Sequence, residues 1–151
     1  MSSQRTGLLD TSAVVLLSRI ADPSLLPERA MIATITLAEL AVGPLVAEDP
    51  SDRAVRQTHL LLAESRFQPL PFDAEAARAF GPIAAALRRR GRKSAARTFD
   101  ALIAAIAVAN RLPLYTCNPE DFAGIDGLEV VAIPHPDRST RVEEEAHGDR
   151  T

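Results

Sequence analysis

Three carboxylates stand at places in this 151-residue chain where an acid is costly. Asp10 directly follows the apolar pair Leu8-Leu9, Glu39 comes shortly after the apolar run 31–35, and Asp100 precedes the nearly all-apolar segment 101–109. Carboxylates brought together beside a core repel one another, and desolvation adds to the cost. A hard divalent cation relieves both: Mg²⁺ takes a few carboxylates plus waters in octahedral geometry, and Mn²⁺ suits the same oxygens. Such an ion makes a bound water nucleophilic near neutral pH and stabilises charge on a phosphoryl group. Each acid also has a purely structural explanation. Asp10 can cap the helix that follows it, Thr36-Leu37-Ala38-Glu39 fits a T-x-x-E capping box, and Asp100 can cap its own helix. Capping and metal binding are compatible, since a cap uses only one carboxylate oxygen.

The elements that must position these acids read as alternating strands and helices. Leu8-Leu9, 31–35, 68–72, 113–116 and 130–133 read as strands, the third marked as an edge by its two prolines. Helices are expected over 12–20, over 36–47 with a disturbance at Gly43-Pro44, over 53–66, over 73–90 with Gly91 as its stop, and over 100–110. The last is the most apolar and should pack centrally. Strands alternating with helices imply parallel βαβ units and an α/β sandwich. In such a sheet, strand ends and the following helix starts gather on one edge, where ligands bind. That edge would bring Asp10, Glu39 and Asp100 into one pocket. Beyond Pro136 the residues are polar and nonperiodic, so 1–136 reads as the domain and 137–151 as a disordered tail.

Composition removes several function classes. With 46% apolar and 25% charged residues the chain is not disordered throughout, and its length suits one domain that folds without staples. A single cysteine excludes a disulfide framework and a cysteine-based zinc site, and it favours a reducing, cytoplasmic location. No apolar run reaches the ~18 residues of a membrane span, and residues 1–7 lack a signal-peptide core. The net charge of −3 gives no bulk attraction to nucleic acid, and 4% aromatics leave no stacking surface for bases. Against that background, 81–99 carries Arg88, Arg89, Arg90, Arg92, Lys93 and Arg97 without one acid, and it leads straight into Asp100. Arginine makes forked bonds to phosphate, and backbone phosphates supply most of the salt-dependent affinity for nucleic acid. The competing explanation is a solvated helix end, where basic residues favour the helix dipole. Cys117 has no base near it in sequence to make it a nucleophile, and His59, His135 and His147 form no catalytic pair. Apolar residues beyond what a small sheet can cover, on helices 12–20 and 53–66, point to a partner site.

The segments LLDTSA (8–13), TLAEL (36–40), FDALIAAIA (99–107) and TCNPEDF (116–122), in this order over about residues 7–134, resemble the PIN-domain family, and most of all the VapC-type ribonuclease toxins of bacterial toxin–antitoxin pairs. The resemblance implies a PIN-like three-layer sandwich with a four- to five-stranded, mainly parallel sheet flanked by helices. It implies a Mg²⁺- or Mn²⁺-dependent site that cuts RNA with water, not the 2′-hydroxyl, as nucleophile. Asp10, Glu39 and Asp100 match the family's acidic metal residues. At the fourth acidic position stands Asn118, with Asp121 three residues on; Asn brings no charge, so one well-held ion is expected, with a second arriving with substrate. Thr11, Ser12 and Thr116 are placed to orient carboxylates or metal waters, or to act as ordinary helix and turn caps. As partners the resemblance implies RNA, a second copy in a homodimer, and a VapB-like antitoxin whose tail blocks the site. A dehalogenase-type phosphatase would need an acid where Ser12 stands, and no G-x-x-x-x-G-K-[ST] loop is present for a P-loop nucleotidase. A PIN-like module that binds RNA or protein without cleaving is the remaining alternative, because Asn118 replaces an acid.

Overall fold

The computed structural model describes residues 4–91 and 95–138. Five strands, β1 (Thr6–Leu9), β2 (Arg29–Ala33), β3 (Pro69–Leu70), β4 (Leu114–Thr116) and β5 (Val130–Ala132), form one wholly parallel sheet in the order β3-β2-β1-β4-β5. Five helices accompany them: α1 (Thr11–Val15), α2 (Thr34–Val46), α3 (Pro50–Arg66), α4 (Ala74–Arg89) and α5 (Ala95–Ala109). Successive side chains on a strand point to opposite faces, and this alternation divides the core in two. Leu8, Ala33 and Leu114 pack with Ile83, Leu87, Ile103 and Ile106 of α4 and α5. Leu9, Ile32 and Tyr115 pack with Ala13, Val14, Leu40 and Ala63 of α1, α2 and α3. The outcome is the three-layer α/β sandwich that the alternating elements imply, with the apolar part of α5, from Ala101 to Ala107, buried in it.

The winding of the chain fixes where a ligand can sit. From β1 the chain moves outward to β2 and β3, then returns to lay β4 against the other side of β1. The β1–β4 junction is therefore the point where strand order reverses, and the crevice beyond the carboxyl ends of such strands is the usual ligand site. Leu8 and Leu9 pair with Leu114 and Tyr115, and the Asp10 N–H donates to the Tyr115 carbonyl at 3.1 Å. This register sets Asp10 beside Thr116.

Several boundaries correct the sequence reading. β2 stops at Ala33 and α2 starts at Thr34, two residues early, because Ile32 and Ala33 already fill the two faces of the sheet. α2 continues through Gly43-Pro44 to Val46 although Pro44 has no N–H to give the helix; Pro44 is buried in the last turn, and Arg56 of α3 donates to the Gly43 carbonyl at 3.2 Å. The helix expected over 12–20 is split into α1 and a 3₁₀ turn at Leu17–Arg19. α5 begins five residues before Asp100. β3 is a two-residue edge strand, as its prolines demand. Past β5, Asp137 pairs with Arg19, and Arg138 pairs with Glu120 at 2.8 Å. Residues 139–151, most of the expected tail, lie outside the described residues. No described helix is long and apolar enough to cross a membrane.

Candidate active site

Asp10 is the buried anchor of the β1–β4 crevice, only 4% exposed. It caps α1, as its position after β1 suggests: Oδ1 accepts from the Ala13 N–H at 2.9 Å and from the Ser12 hydroxyl at 2.8 Å. Its other oxygen, Oδ2, accepts from the Thr116 hydroxyl at 2.6 Å. The Thr116 hydroxyl in turn accepts from the Asn118 N–H at 3.0 Å. The ends of β1 and β4 are thus held together through one carboxylate.

Glu39 comes to the crevice from α2. Thr11 donates to Glu39 Oε1 at 2.7 Å, and since Thr11 has one hydroxyl hydrogen, its 3.0 Å contact with Thr36 is donated by Thr36. The capping-box reading of Thr36 and Glu39 fails, because Ala33 is the N-cap and Glu39 stands in the second turn. The fully buried Thr36 hydroxyl serves the Thr11–Glu39 chain instead. Asp100 is likewise no N-cap but the sixth residue of α5. Asp121, on the 3₁₀ turn Pro119–Phe122, shares Arg97 with it: Arg97 Nη1 lies 3.2 Å from Asp100 Oδ2 and 2.5 Å from Asp121 Oδ1.

These acids are electrostatically one group. Burial pushes the Asp10 carboxyl above the ordinary range against the pull of Thr116, Ala13 and Ser12, and Asp121 adds to the rise. Burial also raises Glu39, opposed by Thr11 and reinforced by Asp10. Asp100 is pushed up to about 7, first by burial and then by Asp121, with Asp10 and Glu39 adding and Arg97 opposing. Unmet negative charge on oxygen donors is what a hard divalent cation satisfies, so the donor chemistry fits Mg²⁺ or Mn²⁺. Among the described residues no three acids, histidines or cysteines stand close enough to enclose an ion with their side chains as placed. Arg97 has drawn Asp100 and Asp121 to itself. Asn118 makes no capping bond with its side chain, which leaves its amide oxygen available. The Cys117 thiol is pushed up to about 11, by burial and by Asp10, and so stays protonated.

The described residues of the basic cluster fall in two places. Arg88 and Arg89 are exposed and, with Arg97, Thr98 and Phe80, line a cavity of about 870 Å³ between α4 and α5. Arg90 donates to the Ala123 carbonyl and lies over Gly124. Gly124 has φ +76°, a backbone conformation that favours glycine, and a Cβ there would displace the flexible Arg90 guanidinium. Arg92 and Lys93 lie outside the described residues. The Arg97 link to Asp121 escaped sequence reading. The i,i+3 spacing of Arg97 and Asp100 could have suggested half of it.

The model of the PIN domain family matches residues 8–128. Ribonuclease VapC5 of Mycobacterium tuberculosis is 37% identical over 129 residues, covering 84% of this chain and 93% of that protein. Ribonuclease VapC of Rickettsia bellii is 33% identical over 110 residues, 73% of this chain and 81% of that one. Among solved structures, that of VapBC-5 from Mycobacterium tuberculosis, a member of the VapBC family of toxin-antitoxin systems, superposes with a TM-score of 0.69 at 34% identity, over 85% of this chain and 98% of that one. A match across nearly the whole sheet, together with acids at the reversal of strand order, leads to one assignment: the chain belongs to the PIN-domain family and, within it, to the VapC-type ribonucleases.

Proposed function

We propose that this chain is the toxin of a VapBC-type pair, an endoribonuclease that hydrolyses RNA phosphodiester bonds with Mg²⁺ or Mn²⁺ and so inhibits growth. The observation that carries the reading is the convergence of Asp10, Glu39, Asp100 and Asp121 from four separate elements on one crevice, where burial and neighbouring negative charge raise the proton affinity of Asp10, Glu39 and Asp100. Asp10, Glu39 and Asp100 would hold the ion, with Asn118 and Asp121 as further oxygen donors. A divalent ion there supplies charge that lowers the pKa of water and offsets negative charge on phosphoryl oxygens. The rest falls to the chain's own residues. Ser12 and Thr116 fix the Asp10 carboxylate, and Thr11 fixes Glu39, so both acids are oriented before substrate arrives. In this reading residues 1–136 are the catalytic unit, the location is cytoplasmic, and the partners are RNA, a second copy and a VapB-like antitoxin. The exposed Val42, Leu45 and Val46 of α2 and Val55 and Leu61 of α3 offer apolar surface for the protein partners; α3 was expected to do so, and α2 takes the place expected of the segment after β1.

The experiment is cleavage of an RNA pool by the purified chain with Mg²⁺, with Mn²⁺ and with chelator, followed by end mapping. Metal-dependent cuts leaving 5′-phosphates support hydrolysis by water. RNA bound but uncut at every metal concentration would leave a binding module in place of the enzyme, and 2′,3′-cyclic ends would make the 2′-hydroxyl the nucleophile. Arg88 and Arg89 are the described exposed cations nearest this use. In an Asp10→Asn background, replacing both with Ser should make the log–log salt dependence of RNA binding shallower by about 1.4, at roughly 0.7 per neutralised phosphate on a single strand. An unchanged slope assigns them to solvent or to the antitoxin.

A further inference from the structure

Arg97 is the one described arginine of the basic stretch that turns toward the acids. A single nitrogen, Nη1, contacts carboxylates of two different elements, Asp100 on α5 and Asp121 on the 3₁₀ turn that follows β4. The three side chains are withdrawn from solvent, with 30% exposure for Arg97 and 22% for each acid. An ion pair on open surface contributes little. Here the cation lies among carboxylates that repel one another, where its charge acts at short range and with less screening. We propose that Arg97 is a built-in counter-ion that holds Asp100 and Asp121 in the metal-free protein and must release Asp121 before a divalent ion can bind. Arg97 thereby sets the threshold of metal concentration at which the site loads.

Three features support this. First, Asn118 is neutral, so Asp121 is the charged oxygen donor at the β4 end of the crevice, and it is the one Arg97 takes up. Second, Arg97 and Asp100 are one helical turn apart, so their pairing survives a change at Asp121, whereas the Asp121 contact bridges elements and can be given up alone. Third, the side chains as placed do not enclose an ion among the described residues. Two of the carboxylates proposed to hold it, Asp100 and Asp121, are the two that Arg97 contacts. The inference rests on the metal-dependent reading above, and the test keeps the two apart.

The test measures Mn²⁺ affinity of the purified chain from the free-ion EPR signal, and the metal-free melting temperature, for wild type, Arg97→Gln, Arg97→Lys and Asp10→Asn. A cation in contact changes a carboxylate's affinity for a proton by about 1–3 orders of magnitude, and a metal ion competing for the same oxygen meets the same field. Arg97→Gln should therefore bind Mn²⁺ at least about tenfold more tightly and melt lower without metal, because the repulsion is then uncovered. Arg97→Lys keeps the charge without the fork and should fall between Gln and wild type. It carries the test should Arg97→Gln fail to fold, by binding Mn²⁺ more tightly than wild type. A purely structural strap predicts the lower melting temperature with unchanged Mn²⁺ affinity, and that result, or weaker binding, overturns the inference while leaving the metal reading intact. Wild type that takes up no Mn²⁺, with Asp10→Asn indistinguishable from it, removes both.

Discussion

Asp10→Asn should lower RNA cleavage at saturating Mg²⁺ or Mn²⁺ by at least about 100-fold, which is about 2.7 kcal/mol of transition-state stabilisation. Among the acids of the crevice this loss is expected to be the largest. Asp10 is the most buried of them, and both of its oxygens are fixed, Oδ1 by Ala13 and Ser12 and Oδ2 by Thr116. An amide of the same shape keeps the cap, because its oxygen still accepts from the Ala13 N–H. Its NH₂ can donate to the Thr116 hydroxyl, which turns to accept. What is lost is charge that a metal needs but that burial makes costly to the fold, so the melting temperature should hold or rise while the rate falls. Asn118→Ala should cost less, since Asn contributes an oxygen but no charge. Single-turnover cleavage across a metal titration checks both, and wild-type rates for Asp10→Asn would remove this carboxylate from the chemistry.

The parts of this site that are legible in the sequence are those fixed locally. Leu8-Leu9 followed by Asp10 can be read as a strand entering a cap, because a buried strand, an acid and Thr-Ser are contiguous. The sheet's strand alternation and the edge position of Pro69 are readable for the same reason. Glu39 and Asp100 are identifiable as unusual acids, but their places in α2 and α5 are not. Thr36 through Glu39 has the look of a capping box. The helix nevertheless begins at Thr34, because β2 has already filled both faces of the sheet by Ala33, and Thr36 is fully buried against Thr11. Residues 95–99 carry no apolar periodicity to mark a helix, yet Ala and Arg are strong helix formers and α5 extends through them. The basic stretch shows the limit most plainly. Its charge is countable, but where each side chain goes depends on what the fold brings near. The loop at Ala123-Gly124 captures Arg90, and the 3₁₀ turn captures Arg97. Both of those segments are distant in sequence, and no local pattern encodes the meeting.

Asp100→Asn should make the metal-free protein more resistant to heat, increasingly so as pH rises. A carboxyl whose folded-state pKa is raised holds its proton more tightly folded than unfolded, so ionising it costs stability. The stability linked to the Asp100 proton is fully present below the ordinary value of 3.8 and is lost as pH climbs through about 7. The groups facing it explain the direction: burial acts first, Asp121, Asp10 and Glu39 repel, and Arg97 alone among its named neighbours attracts. Removing the charge should therefore change little near pH 4 and add about 2–4 kcal/mol by pH 8. For a chain of this size that is roughly 5–10 °C in melting temperature. Arg97 keeps Asp121 as a partner in the variant, so no cation is left buried alone. Divalent metal should reverse the ranking. An ion that binds only the folded state stabilises it by RT ln(1 + [L]/Kd), and wild type, with the better ligand set, should gain more from the same Mg²⁺ than the variant. Melting curves at pH 4, 6 and 8, with chelator and with excess Mg²⁺, test each part. An Asp100→Asn protein that melts below wild type at pH 8 without metal would mean that the Arg97 pair outweighs the repulsion, and that this crevice is not held under the charge strain that makes a divalent cation its natural ligand.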